Sequence, residues 1–478
     1  MGGISAMAWK ATFGMGAAGG GRRLRVGIIS DIHLGMPGDN RFMKRERNFL
    51  MALRHFRDVG VDGVVIAGDL AERGQREEMA NVVDKWNSVF PDNKLPDGRE
   101  VARLFVSGNH EFAGWSYGGR VRTKEETDRL LANSMKADPD VYWREFWREP
   151  YLPVSIKELA GYKFVLCHYD EWNEGGVRFL EAHRAELEGE KPFFFIQHCH
   201  PAGTVYSRMD KRSVGAGGGK ITEALSRFPN AVVLSGHSHL PLTLPQSIWQ
   251  GAFTSIGTWS TSRTSLPEGR ENGFKKASAD GRKYFMNRLD ARRAVGFLVM
   301  DVHDDRLVFE RLRVDPVEKC GDDWIIPLPA CSSETSRPYA FEPRASAARP
   351  PRFPGGAEIK VSIRKMISRS WKNEDMVVLE FPRAEADGPD GVIFDYGVEV
   401  KSDGVTCLST RLYPKSIGYS EMQARESDGR IEICGFDPGL FRRGKRYDFT
   451  ITPYDAWGLK GDPLSCGCVP RFQDKEGK

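Results

Sequence analysis

The stretch AVVLSGHSHLP, residues 231–241, decides the reading of this chain. Ala231 to Leu234 are four apolar residues with the β-branched character of a buried strand, and Ser235-Gly236 breaks the run. Two histidines one residue apart, His237 and His239, then stand at the strand's carboxyl end, in a sequence with ten histidines among 478 residues. In an extended segment side chains two apart point the same way, so both imidazoles are expected to face one centre. Gly236 is expected to permit a sharp departure from the strand.

The same arrangement recurs upstream. LRVGIIS (24–30) runs into Asp31-Ile32-His33, VDGVVIAG (61–68) into Asp69, VARLFVSG (101–108) into Asn109-His110-Glu111, and KPFFFIQ (191–197) into His198. Helical spacing fills the intervals. Phe42, Phe49, Leu50, Leu53 and Phe56 share one face between about 40 and 57, and Met79, Val82, Val83 and Trp86 do so after Gly74. A Thr-x-x-Glu capping pattern opens a third helix at TKEE, 123–126. Strand–helix–strand repetition predicts an α/β sheet covered by helices, whose ligands bind beyond the carboxyl ends of the strands.

All five strand ends carry oxygen or imidazole donors. That set suits Mn, Fe or Zn better than Cu(I) or an iron–sulfur cluster. Seven donors, Asp31, His33, Asp69, Asn109, His198, His237 and His239, are too many for one catalytic ion, which keeps an open position. They suit two ions that share a bridge.

In that order, DIH, GDLAERG, GNHE, QHCHP and GHSH resemble the calcineurin-like metallophosphoesterase family, over about residues 24–315. The resemblance implies an α/β sandwich and a dinuclear centre of divalent or trivalent ions acting on a phosphate-ester substrate, monoester or diester. Asp31, His33 and His239 would hold one ion, Asn109, His198 and His237 the other, and Asp69 would bridge them. A water activated between the ions would attack phosphorus, and His110 would be the general acid. Where phosphoprotein-phosphatase relatives carry an Asp that orients the acid histidine, this chain has Glu72, followed by Arg73 as a candidate phosphate clamp. His200 has two readings, a place at the mouth of the site in reach of substrate and a neutral supporting role. His168 also follows an apolar strand, but chain order and the His-x-Pro context favour His198.

Residues 294–314 read as a hairpin turned at Asp304-Asp305 that closes the catalytic domain, 24–316. A Pro-, Ser- and Ala-rich stretch, 317–355, reads as a linker. Beyond it, 356–470 shows six short alternating strands without helical spacing, an all-β sandwich pattern. Its end is similar to a fibronectin type III domain, with Tyr447 as the corner tyrosine. No catalytic cluster falls there, so packing against the catalytic domain, or binding a protein or polymer partner, is its expected task.

Other features exclude more than they assign. GAGGGK at 215–220 is not a phosphate-binding loop, because Val214 and Ile221 stand where Gly and Ser or Thr are required. Trp143, Phe146 and Trp147 have the spacing of a buried helix face. The net charge of +4 gives no dedicated nucleic-acid surface, although a basic stretch at 263–293 could attract an anion. A nuclease using the same metals is the alternative activity, and a non-catalytic scaffold of the same fold is the alternative class. Eight sparse cysteines do not form a disulfide framework, and no apolar run is long enough to span a membrane. The small-residue leader, 1–23, makes a poor signal peptide, which leaves cytoplasmic and exported locations open.

Overall fold

The computed structural model describes residues 21–117, 122–171, 173–206, 218–266, 284–285, 294–367, 373–388, 390–414 and 431–471. Most of the leader and of the basic stretch, and the first half of GAGGGK, therefore lie outside the described residues.

The N-terminal part opens with β1 (Leu24–Ile29), α1 (Met43–Val59), β2 (Gly63–Ala67), α2 (Arg76–Val89), β3 (Ala102–Val106), α3 (Asn109–Ala113), α4 (Lys124–Ala132) and α5 (Pro139–Trp147). It continues through β4 (Val154–Leu159), β5 (Tyr162–Cys167), α6 (Glu174–Ala182), α7 (Arg184–Leu187), β6 (Phe193–Ile196), α8 (Gly218–Leu225), β7 (Ala231–Ser235), β8 (Ile248–Gln250) and β9 (Thr254–Gly257). β10 (Tyr284–Phe285), β11 (Gly296–Val302), β12 (Arg306–Arg313), β13 (Glu318–Lys319), β14 (Trp324–Pro327) and α9 (Phe341–Ala347) follow.

These strands form two sheets. One has the order β13-β12-β11-β1-β2-β3 with β14 also on β12, and the other β4-β5-β6-β7-β9-β8. The sheets stack through Val26, Ile28, Val65, Leu104 and Val106 on one side and Phe164, Leu166, Phe194, Val232 and Leu234 on the other, all buried. Within β2 the alternation is visible: Val65 and Ala67 face the second sheet, while Val64 and Ile66 face the helices. Phe49, Leu53 and Phe56 of α1, Met79, Val82 and Trp86 of α2, and Trp143 and Trp147 of α5 cover that outer face. α6 and α8 cover the other through Leu180, Ile221 and Leu225. The result is a helix–sheet–sheet–helix sandwich. Periodicity locates such strands but does not tell which sheet each joins.

α1 shows how local chemistry ends an element. Its apolar face runs out at Val59, and Gly60, at φ 71°, returns its N–H to the carbonyls of Phe56 and Arg57. Glycine takes that left-handed conformation without the Cβ clash.

The hairpin expected at 294–314 is present as β11 and β12 and pairs with β1. The linker expectation is corrected in part. β13 and β14 pair with β12, and Trp324 and Ile326 are buried between the sheets. The Pro-rich composition further along masked the short apolar run WIIP.

β15 (Lys360–Ile367), β16 (Asn373–Pro382), β17 (Ile393–Ser402), β18 (Val405–Leu412), β19 (Ile431–Phe436), β20 (Tyr447–Asp455) and β21 (Leu464–Cys468) make two antiparallel sheets, β10-β19-β16-β15 and β18-β17-β20-β21. Val377, Leu379 and Phe436 meet Tyr396, Val398, Phe449 and Ile451 in the core between them. The Tyr447 hydroxyl accepts the Arg442 N–H at 2.8 Å. Phe394, Tyr413 and Ala456 of this region pack against Val205, Tyr206, Leu240, Leu244 and Leu266 of the N-terminal part. Arg344 of α9 ties the two, pairing with Asp390 at 2.7 Å and donating to the Ile248 carbonyl at 3.2 Å. No helix among the described residues is long and apolar enough to cross a membrane.

Candidate dinuclear metal centre

β1, β2 and β3 of the first sheet and β6 and β7 of the second run parallel to their neighbours, and their carboxyl ends open at one edge of the sandwich. Asp31 and His33 leave β1, Asp69 leaves β2, Asn109 and His110 open α3 beyond β3, His198 leaves β6, and His237 and His239 leave β7. The extended reading of the His-Ser-His stretch is corrected. His237 and His239 are left-handed, at φ 67° and 55°, and so are Asp31, His33 and Asp69 at 51°, 50° and 54°. Such non-glycine backbone costs on the order of 1–3 kcal/mol per residue and collects at functional sites. The Asp31 carboxylate helps to hold the His237 turn, accepting its N–H at 3.0 and 3.2 Å. Gly236 serves close approach here: a Cβ would lie 2.5 Å from Asp31 Oδ2 and 2.6 Å from Ser30 Oγ.

The two histidines face different neighbours. His239 Nε2 lies 3.1 Å from His33 Nε2 and 3.0 Å from Asp31 Oδ1. His237 Nδ1 lies 3.2 Å from His198 Nε2, which is 3.1 Å from Asn109 Oδ1. Asp69 Oδ2 stands between the groups, 3.5 Å from His33 Nε2 and 3.1 Å from His198 Nε2, while its Oδ1 accepts the His110 N–H at 2.9 Å. Donor atoms of Asp31, His33, Asp69 and His239 converge closely enough to hold one ion, as do those of Asp69, His198 and His237 for another.

Hydrogen-bond partners decide what these atoms can be. His198 Nδ1 meets the Ala67 carbonyl at 2.8 Å and His239 Nδ1 the Arg263 carbonyl at 3.0 Å, so both nitrogens must carry hydrogen. In the neutral rings both Nε2 atoms are then lone pairs aimed at carboxylate oxygen, amide oxygen or another imidazole. Those two lone pairs, with the carboxylates of Asp31 and Asp69 beside them, form a cluster suited to cations, and a carbonyl on the far ring nitrogen is the usual outer support of metal-binding histidines. Titration follows the same field. Burial opposes charge on His198, yet the Asp69 carboxylate raises it to about 9, so a proton on Nε2 answers the same acceptors that a metal cation would. Burial and the charge on His198 push His237 down to about 4, and burial pushes His239 to about 4. Burial works to raise Asp31 and Asp69, but the surrounding imidazoles, His239 foremost for Asp31 and His198 for Asp69, hold both well below the carboxylate range.

Around this cluster the expected accessory residues take varied places. His110 is partly buried beside His33, with ring centroids 4.3 Å apart, and its Nε2 is 4.0 Å from Asp69 Oδ2. Its Nδ1 donates to Glu72, but to the backbone carbonyl, at 2.5 Å. The Glu72 carboxylate instead meets Arg45 at 2.5 Å and His33 Nδ1 at 3.4 Å. Arg73 is exposed, and its N–H donates to Glu78 at 2.7 Å. Of the two readings of His200, the place at the mouth is corrected: it is fully buried, held between the hydroxyls of Ser235 at 2.6 Å and Ser238 at 2.9 Å, a supporting position against the His237–His239 turn. His168 points away from the cluster, its Nδ1 accepting the Ser107 N–H at 3.0 Å, and burial pushes it down to about 3.

Two residues with parts here were given none from sequence. Glu111, fully buried, accepts the N–H groups of Asp69, Ala71 and Gly108 at 3.1, 2.9 and 2.7 Å. Burial and the Asp69 charge push it up to about 8 against those three bonds. Its place in the GNHE block was the available signal. Tyr117 accepts from Asn109 Nδ2 at 3.0 Å, and nothing in GWSYGG marks it.

The sequence profile of the calcineurin-like phosphoesterases matches residues 24–241, the span that supplies every donor above. Residues 24–241 carry a calcineurin-like phosphoesterase domain. No curated protein matches the chain. Among solved structures, a dimetal phosphatase from Danio rerio is 12% identical, with 64% of this chain and 99% of that one covered at a TM-score of 0.39. The purple acid phosphatase PPD1 from yellow lupin is 14% identical, covering 64% and 53% at 0.40. GAP50 of Plasmodium, described as the anchor in the inner membrane complex, is 12% identical, covering 64% and 88% at 0.37. Likeness this distant carries no argument about activity. The phosphoesterase domain and its buried Asp and His cluster together indicate a dinuclear metal site.

Proposed function

We propose that the phosphoesterase domain, within residues 24–316, hydrolyses phosphate esters with two bound metal ions. The observation that carries this reading is Asp69, whose Oδ2 is shared between two sets of donors while His110 stands beside it. In this reading Asp31, His33 and His239 would hold one ion, Asn109, His198 and His237 the other, and Asp69 would serve both. Ions so held supply Lewis acidity, a water of lowered pKa and a clamp on the phosphoryl oxygens.

The chain's own residues do the rest. His110, anchored at Nδ1 by the Glu72 carbonyl, would give the Nε2 proton of its imidazolium form to the leaving oxygen and be left as the neutral ring with hydrogen on Nδ1. Glu72 acts through its carboxylate on His33 and through its carbonyl on His110, so its part is positioning. Arg73 is a clamp only if a substrate reaches the exposed rim. The C-terminal sheets are read as a fibronectin type III-like sandwich, supported by the Tyr447 hydroxyl bonded back to Arg442.

The test is hydrolysis of an aryl phosphate monoester beside its diester with Mn²⁺, for the intact protein and His110→Ala. Turnover is expected to fall about 10²–10⁴-fold in the variant with metal content unchanged. Preference for the diester directs the substrate search to phosphodiesters, and preference for the monoester to phosphatase substrates. Metal-loaded protein that cuts neither ester refutes the reading and returns the scaffold alternative.

A further inference from the structure

α3 carries more than Asn109 and His110. A single 3₁₀ turn, Gly114–Ser116, continues it, and Tyr117 closes that turn with its N–H on the Gly114 carbonyl at 2.9 Å. Arg122 holds the Tyr117 carbonyl at 2.6 Å. The three side chains therefore sit on one short, internally bonded unit. The phenol ring lies edge-on to His110, with centroids 4.8 Å apart. Its Oη is 3.0 Å from Asn109 Nδ2, whose amide oxygen faces His198.

Exposure separates Tyr117 from the candidate metal ligands. Asp31, His33 and His198 are wholly buried, whereas Tyr117 is 38% exposed, so it stands on the solvent side, where a substrate must enter. The proton count completes the argument. Asn109 Nδ2 can only donate, so the phenol oxygen is the acceptor in that contact and keeps its own hydrogen. Among the described residues no acceptor takes that hydrogen. An O–H fixed by a neighbour's N–H, beside the general-acid position and facing the opening, matches a non-bridging phosphoryl oxygen.

We propose that Tyr117 is a further substrate-contacting residue, donating its phenol hydrogen to a phosphoryl oxygen of the bound ester. The proposal rests on the phosphoesterase reading above. In this arrangement Asn109 has two tasks: its oxygen faces the metals and its N–H aims the phenol. The contact is charge-assisted, which makes it worth more than a neutral hydrogen bond.

Tyr117→Phe removes the donor and keeps the ring, and full-length protein is assayed loaded with Mn²⁺. The readouts are metal stoichiometry by mass spectrometry, orthophosphate affinity by calorimetry, and kcat and KM on the aryl phosphate ester. The variant is expected to retain both metals, to bind orthophosphate about 10-fold or more weakly, and to lose about 10–100-fold in kcat/KM. Unchanged orthophosphate affinity with both metals in place overturns the proposal. So does loss of a metal from the variant, because Tyr117 would then act only by orienting Asn109. Wild-type protein that holds two metals yet neither binds orthophosphate nor cuts the ester overturns the phosphoesterase reading itself, a result the wild-type control separates from the first two.

Discussion

Replacing Glu111 by Gln tests how the site's loops are held. The Glu111 carboxylate spends Oε1 on the Ala71 N–H at 2.9 Å and Oε2 on those of Asp69 at 3.1 Å and Gly108 at 2.7 Å. A glutamine has one acceptor oxygen. Its better orientation keeps that oxygen on the pair from Asp69 and Gly108 and turns the NH₂ toward Ala71, donor against donor. Above about pH 8, where Glu111 is ionised, one hydrogen bond to a charged group is lost, worth about 1.5–3 kcal/mol, and a buried N–H is left without a partner at about 1–3 kcal/mol. Taking about 3 kcal/mol for the local loss, amide exchange around Ala71 should accelerate roughly a hundredfold. Hydrogen–deuterium exchange on peptides covering 62–72 and 102–112 reads this directly, with β5 and β6 peptides as internal controls. Because Asp69 and Asn109 flank the bonded groups, Mn²⁺ affinity should fall as well. A change below threefold around Ala71 would refute the reasoning, since it would mean that the loops hold themselves without the carboxylate.

Two further outcomes follow from buried groups away from the metals. Burial pushes Glu78 up to about 7 despite its bonds from the Arg73 and Gln75 N–H groups. A raised carboxyl contributes stability that is full below about 4.5, its ordinary value, and is lost as pH rises through about 7. Glu78→Gln should therefore gain on the order of 2–3 kcal/mol over wild type at pH 8 and little at pH 4.5; urea denaturation at both pH values checks this, and a gain of equal size at each would be inconsistent with it. At the joint between the two regions, Phe394→Ala should cost about 3 kcal/mol, as expected for truncating a buried aromatic. It should also weaken Mn²⁺ binding, because Phe394 packs in the cluster containing Leu240, the residue after His239; denaturation with a metal titration tests both, and stability lost without change in metal affinity would show the joint to be passive.

What could be read from the sequence was what is local. Five apolar runs ending in Asp, Asn or His announced strand ends carrying donors, and capping at Thr123 is present as expected, its hydroxyl accepting the Glu126 N–H at 3.1 Å. Long-range partnership was not legible. Nothing in FVLC or FFFI says that β5 and β6 lie in a different sheet from β1, because both kinds of strand are buried on two faces. Backbone hand was also hidden: the turns at His237 and His239 depend on Asp31, more than two hundred residues earlier in the chain. Glu72 shows a third limit. The residue was singled out for its carboxylate, whereas its bond to His110 comes from the carbonyl that every residue carries.

The contact of Phe394, Tyr413 and Ala456 with Leu240 and Tyr206 bears on how the gene tolerates change. Tyr206 bonds through its hydroxyl to the Leu240 carbonyl at 3.1 Å, and Gln246 donates to the Ala456 carbonyl at 2.5 Å, so the joint abuts the loop that leaves His239. Substitutions far downstream, in β17 and β18, are thus expected to surface in a genetic screen as partial loss of the whole protein rather than as lesions of a separate module. A fragment ending before β15 would leave Leu240, Leu244 and Tyr206 facing water. Recombination that exchanges the carboxyl-terminal half between homologues would have to carry the matching face of the first half with it.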